Sequence, residues 1–274
     1  MKYDLAQMIK AAGRYRTKTF ELRGIKPTKT QQQDLQRLYL AVTRGWQDRW
    51  FKRIRPLYTK TLKEIKATDA SDLITDTVDE VRFETQLSEQ QMATVEAALK
   101  PRMRNWAAEV EKWHRARFVQ AFTPAGVNLT TLLSPNDVRE LLESVLQENV
   151  SLIRSLNDQA RNGISGTVFR GLQNRTPARE VARQIRKSND IARRRAELIA
   201  SDQLQKLTSR LDEERQKQAG GVKFKWQHSG KVNYRDYHKD RNGKVFYWSS
   251  SVAKDDPPGR AINCGCKARM ILDI

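Results

Sequence analysis

The sequence is poor in the residues that build cross-linked or reactive sites. Its 274 residues include two cysteines and three histidines. The cysteines, Cys264 and Cys266, stand one residue apart. A bridge between them would close a very small, strained ring, and no disulfide framework can be built from such a pair. This usage agrees with a reducing compartment. No apolar run approaches the ~20 residues of a membrane-spanning helix. The opening stretch MKYDLAQMIKAAGRYR has no apolar signal core and no small-residue cleavage site. A protein made and kept in a cytosol, with no membrane partner, is the expectation. Acid is scarce relative to base, with 32 Asp and Glu against 51 Lys and Arg, a formal net charge of +19.

That charge is uneven along the chain. Residues 1–60 carry +11, residues 61–160 carry −5 and residues 161–274 carry +13. An excess of this size is more than solubility needs, and two basic ends can face a polyanion. Nucleic acid is the favoured polyanion.

Periodicity predicts a mainly α fold. Residues 1–27 form a basic N-terminal arm ending at Pro27, a short helix with an extended tail. From Thr28 a helical domain runs to residue 148. Leu35, Leu38, Tyr39, Val42, Trp46 and Trp50 recur there in three- and four-residue steps. Thr28 with Gln31, and Ser88 with Gln91, have capping-box spacing. The aromatics Trp46, Trp50, Phe51 and Tyr58 lie among arginines and could stack on bases. At helical spacing they are better read as core, with Arg stems lying over them. Pro101 is expected to break or kink its helix, and His114 reads as a core or surface residue rather than a ligand. Residues 149–219 form a basic helical part. Ser134–Pro135 and Thr176–Pro177 open helices, and Gly163 and Gly166 weaken one locally or let a neighbour approach. The last helix, from about Asp190, has an expected apolar face of Ile191, Leu198, Ile199, Leu204, Leu207 and Leu211. After Gly220–Gly221 the period changes to two, as in VKFKWQ. A small β-rich C-terminal module occupies 220–274, with Asn242–Gly243 as a turn and AINCGCKARMIL as a last strand.

Four stretches from about 149 to 266 stand in a familiar order: NVSLIRSLNDQARNGISGTVFRGLQNRTPAREVARQI, RRRAELIASDQ, KWQHSG followed by VNYRDYHKDRNGKVF, and PPGRAINCGC. Together they resemble the phage Mu F-like family of minor head, or head morphogenesis, proteins. Asp202 and Gly265 depart from the family's usual residues at those places. The resemblance implies a structural component of a tailed-phage head, associated with the portal and acting in genome packaging or delivery. It places the protein in the virion, and in the host cytoplasm during assembly. The N-terminal helices would be the variable part, suited to portal contacts and to major capsid or scaffolding protein.

Two groups of residues are site candidates. Arg183, Arg186, Lys187, Arg193, Arg194 and Arg195 lie on one basic helical stretch. They are suited to sequence-independent contacts with the phosphates of double-stranded DNA. In the tail, Cys264 and Cys266 with His238 and His228 have the ligand types of a structural zinc site. A small module with little core gains from a metal staple. Simple burial of the two thiols in an apolar pocket is the competing reading. No acyl-transfer motif surrounds the cysteines, so no catalytic residue is assigned. The alternative function is a metal-dependent nuclease. His228, His238, Asp236 and Asp240 would hold its divalent cation and activate water.

Overall fold

The computed structural model describes residues 2–15, 17–68, 76–86 and 89–274. Long helices alternate with short connections, and four short strands form one sheet. In chain order the elements begin with α1 (Leu5–Ala12), β1 (Thr19–Leu22), α2 (Lys29–Arg49), α3 (Arg55–Thr68), α4 (Asp76–Thr85) and α5 (Glu89–Phe122). They continue with α6 (Arg139–Gln173), α7 (Ala178–Gln218), β2 (Lys223–Gln227), α8 (Asp236–Asp240), β3 (Val245–Tyr247), α9 (Ser251–Asp255) and β4 (Lys267–Asp273). The fold is mainly α with a small β module, as the periodicity predicts. Among the described residues, no helix is long and apolar enough to cross a membrane.

Contacts group the chain into two compact units. One comprises Met1–Gln32, Arg104–Leu146 and Ser201–Ile274; the other comprises Gln33–Met103 and Gln147–Ala200. Neither unit is continuous in sequence.

The first unit holds the sheet, with strand order β1-β4-β2-β3 and every pairing antiparallel. β1, from the basic arm, is an edge strand, with Phe20 opposite Leu272 and Glu21 opposite Ile271. Alternation puts Phe224 and Trp226 of β2 opposite Met270 and Ala268 of β4, and all four are buried. Lys225, Arg269 and Glu21 alternate with them on the other face, where Glu21 accepts from Lys225 and from Arg269. One core cluster gathers Leu5 and Ile9 of α1, Phe118 and Phe122 of α5, and Phe20, Met270 and Leu272 of the sheet. A second, smaller cluster contains Phe224, Trp226, Trp248, Ala253, Ala268 and both cysteines. His114 is fully buried, with its Nε2 2.9 Å from Asp212 Oδ1, and so is a core residue.

The second unit is helical. α2 starts on a capping box: the Thr28 N–H donates to Gln31 Oε1 and the Gln31 N–H to Thr28 Oγ1. Trp46, Trp50 and Tyr58 are buried, and the Arg49 guanidinium lies over the Trp46 ring. The aromatics are therefore core. The exception is Phe51, which is exposed. A π-helical turn, Trp50–Ile54, joins α2 to α3 just before Pro56. Proline has no N–H to give its helix, and a wider turn upstream accommodates it without ending the rod. Tyr39 donates to Asn149, Trp46 Nε1 to Asn157, and Tyr58 to the carbonyl of Thr176, which fixes α2 and α3 against α6 and the start of α7. Gly171 is where close approach demands glycine. A Cβ there would lie 2.7 Å from both Tyr58 Oη and Val181 Cγ2.

Several sequence expectations are corrected. α5 runs unbroken through Pro101, because Leu99 and Met103 on either side are buried and hold the helix in place despite the lost hydrogen bond. The helices expected to be separate around residue 149, and again around residue 190, are continuous as α6 and α7. Nothing in either junction prevents a helical turn, and Asn149 and Asn189 are buried within them. On α7, Ile191 is 50% and Leu198 59% exposed. Its buried face uses alanines instead, at Ala192, Ala196 and Ala200, before Leu204, Leu207 and Leu211. Small residues at a four-residue spacing let a neighbour approach closely, which a count of large apolar residues does not register. The expected cap at Ser88 lies outside the described residues.

Candidate functional site

The basic stretch lies on α7. Arg183, Arg186, Lys187, Arg193 and Arg194 are exposed, and their spacing places them on one side of the helix. Arg195 is not on that side. It is half-buried and donates to Gln159 and to Ser155 Oγ. Asp190 and Glu197, with Ile191 and Leu198, interleave the exposed charges. Glu180 engages Arg183 (2.8 Å) and lies within reach of Gln184, so its carboxyl sits below the usual range, chiefly through the Arg183 hydrogen bond.

The second candidate is in the β module. His238 sits on α8, which starts at Asp236, and is 2% exposed. Its Nδ1 faces both sulfurs, at 3.4 Å from Cys264 Sγ and 3.8 Å from Cys266 Sγ. Its Nε2 lies 2.8 Å from Asp256 Oδ2, the same oxygen that accepts from Arg241 Nη1 at 2.6 Å. A carboxylate on Nε2 holds the proton there and leaves the Nδ1 lone pair turned toward the thiols. The rings of Trp226 and Tyr237 meet His238 edge-on.

The cysteines themselves precede β4 rather than lying in it, contrary to the expected last strand. Asn263, at φ 58°, and Gly259, at φ 82°, turn the chain sharply before β4 begins at Lys267. Only glycine suits position 259: its φ is left-handed, and a Cβ would lie 2.0 Å from Ser209 Oγ. Side chains from distant positions hold this loop. Asp202 accepts from the Asn263 N–H at 2.6 Å, Lys231 donates to the Asn263 carbonyl, and Arg235 donates to the Ile262 carbonyl. The Cys264 thiol is drawn down, chiefly by the hydrogen bond from Cys266 and against the effect of burial. That same bond pushes Cys266 up.

Of the four tail residues expected to share a metal, three come together. His238, Cys264 and Cys266 place their donor atoms within 4.8 Å of one another, and all three are buried. His228 is not in the group. Its Nδ1 accepts from the Gly230 N–H, and its ring packs edge-on against Tyr234. Among the described residues, Asp236 and Asp240 do not join the group either, and both are exposed. Asp256, Arg241 and Asp202 are the contributors missed from sequence. Asp256 precedes the recognisable Pro-Pro-Gly turn, but nothing local says that its carboxylate turns back to α8.

A mainly helical chain closed by a small antiparallel sheet, with a buried thiol–imidazole group beside that sheet, is the class these features define. Residues 162–269 match the family described as Phage Mu protein F like protein, and this part of the chain is a Mu F-like region. It takes in the basic face of α7 and the whole Cys-His group. An uncharacterized protein of Haemophilus influenzae (strain Rd) is 29% identical over 150 residues, covering 54% of this chain and 33% of that protein. The chain thus matches about a third of the length of that relative. No solved structure matches significantly.

Proposed function

We propose that the protein is a portal-associated minor head component of a tailed phage. It acts in head morphogenesis and genome packaging or delivery, by contact and not by catalysis. The observation that carries this reading is the position of the exposed basic face of α7 inside the Mu F-like region. Five exposed cations on one helix side, in a chain of net charge +19, suit a phosphate backbone and contain nothing arranged to read bases. Ile191 and Leu198, exposed beside Lys187 and Arg194, suit the helical surface of a protein partner such as the portal. The virion, inside the head near the portal, is the location this role requires.

Binding of the full chain to fluorescently labelled duplexes of unrelated sequence tests the DNA contact. Equal affinity for each duplex, weakened by Arg193→Gln with Arg194→Gln, is the expected result. Co-purification with the cognate portal protein, at salt that abolishes DNA binding, tests the partner. Cleavage of plasmid in the presence of Mg²⁺, Mn²⁺ or Zn²⁺ would overturn the non-enzymatic reading.

A further inference from the structure

We propose that Cys264 Sγ, Cys266 Sγ and His238 Nδ1 are the protein ligands of a zinc ion that closes the C-terminal module. Zn–S bonds of about 2.3 Å and Zn–N bonds of about 2.0–2.1 Å place the ligand atoms of a tetrahedral site roughly 3.5–3.8 Å apart. The two sulfur–nitrogen separations are 3.4 and 3.8 Å. All three donor atoms lie within 4.8 Å of one another, a spacing one ion can bridge. Two soft sulfurs with one imidazole are a zinc donor set, and an ion there would take its fourth ligand from outside this group.

The imidazole distinguishes this site from an apolar pocket for two thiols. Burying a histidine is costly, and a pocket that only excludes water gains nothing from one. Here His238 is oriented through Nε2 by Asp256, which Arg241 holds in turn. A carboxylate on the far nitrogen of an imidazole is the arrangement that fixes a metal-binding histidine and makes it a better donor. Asp256 is the positioning residue of this site. The same residues have the order of a thiol–imidazole–carboxylate catalytic relay. Cys264 and Cys266 are only 5% and 2% exposed, however, and neither sulfur can be brought against a substrate carbonyl.

Placement gives the ion its role. The Cys loop arrives from the turn after α9, and His238 from the helix between β2 and β3. One ion would add a further link between two segments already joined by the Asp256 contacts and the small apolar cluster. It would connect them in the unit that also holds Asp202 of α7.

The experiment uses the full chain, purified without chelator. Elemental analysis is expected to find close to one zinc per chain. Removing the metal with a chelator should lower the unfolding temperature, and returning zinc should restore it. Cobalt added to the stripped wild-type chain should give thiolate-to-cobalt charge-transfer bands and the strong visible absorption of a tetrahedral site. This readout needs no variant to fold. Cys264→Ser with Cys266→Ser should abolish binding. Asp256→Asn should weaken it about 10- to 100-fold, as loss of an outer-shell partner does. His228→Ala should bind as wild type. A wild-type chain that carries no zinc and gives no thiolate bands with cobalt would overturn the proposal. Loss of metal in His228→Ala equal to that in the double serine variant would overturn the three-ligand assignment.

Discussion

The buried charges of the first unit do what no surface charge can. Arg215 is fully buried, with Nη2 2.7 Å from Glu111 Oε1 and Nη1 3.0 Å from Gln218 Oε1. Asp137 lies 3.4 Å from the same guanidinium and is also held by Lys2. Among the described residues, removing Arg215 leaves the buried Glu111 carboxylate with Arg115 alone as its cation, at 3.1 Å. Arg215→Met is therefore expected to cost about 3–5 kcal/mol. Urea unfolding would measure the loss, and adding Glu111→Leu should recover a substantial part of it. Glu21 shows the opposite case. Its carboxyl is lowered from 4.5, first by the hydrogen bond from Lys225 and also by Arg269. A lowered folded pKa means stability that is present above the ordinary carboxylate value and lost as pH falls through the lowered one. The side chain is 35% exposed, so solvent screens the pair and the contribution stays under about 1 kcal/mol. Glu21→Gln should be slightly less stable than wild type at neutral pH. The difference should vanish in unfolding curves taken well below the carboxylate range. Lys267 was not distinguishable in sequence from an outward strand lysine. It is buried, and donates to Thr208 and Ser209 with Asp212 at 3.7 Å.

Among the elements, α5 and α7 show how packing overrides local preference. Proline in a helix interior costs about 3 kcal/mol against alanine. Pro101 nevertheless lies within α5. Pro101→Ala should restore the missing donor and raise stability by about 1–3 kcal/mol, measurable as an increased denaturant midpoint at unchanged m-value. If the proposed DNA contact holds, the exposed cations of α7 act as a set of phosphate contacts. Each phosphate contact removed should reduce the salt dependence of DNA affinity by about one unit of log–log slope. Arg193→Gln with Arg194→Gln should therefore flatten the slope by about two, while Arg195→Gln, already tied to Gln159 and Ser155, should change it little. The capping box at Thr28 was legible because a cap is made by residues three positions apart. The continuity of α6 and α7 was not, because it depends on what buries Asn149 and Asn189 from outside the helix.

For the whole molecule, composition and local patterning carried the broad class. Three- and four-residue periodicity over most of the chain, period two after Gly221, and an excess of base over acid are local or additive properties. Each survives without knowledge of the fold, so a mainly helical chain with a small β module and a basic surface could be read directly. The ordered motifs from Asn149 to Cys266 likewise pointed to the Mu F-like region. Tertiary structure decided what depends on distance between remote positions. It joined β1 of the N-terminal arm to β4 at the other end of the chain. It turned His238 toward Cys264 and Cys266 while leaving His228 on Tyr234. It also brought in Asp256, Arg241 and Asp202, whose carboxylates and guanidinium carry no local signal of their targets. Periodicity reports which side of an element is buried. Which buried groups meet is settled only when all the elements pack at once.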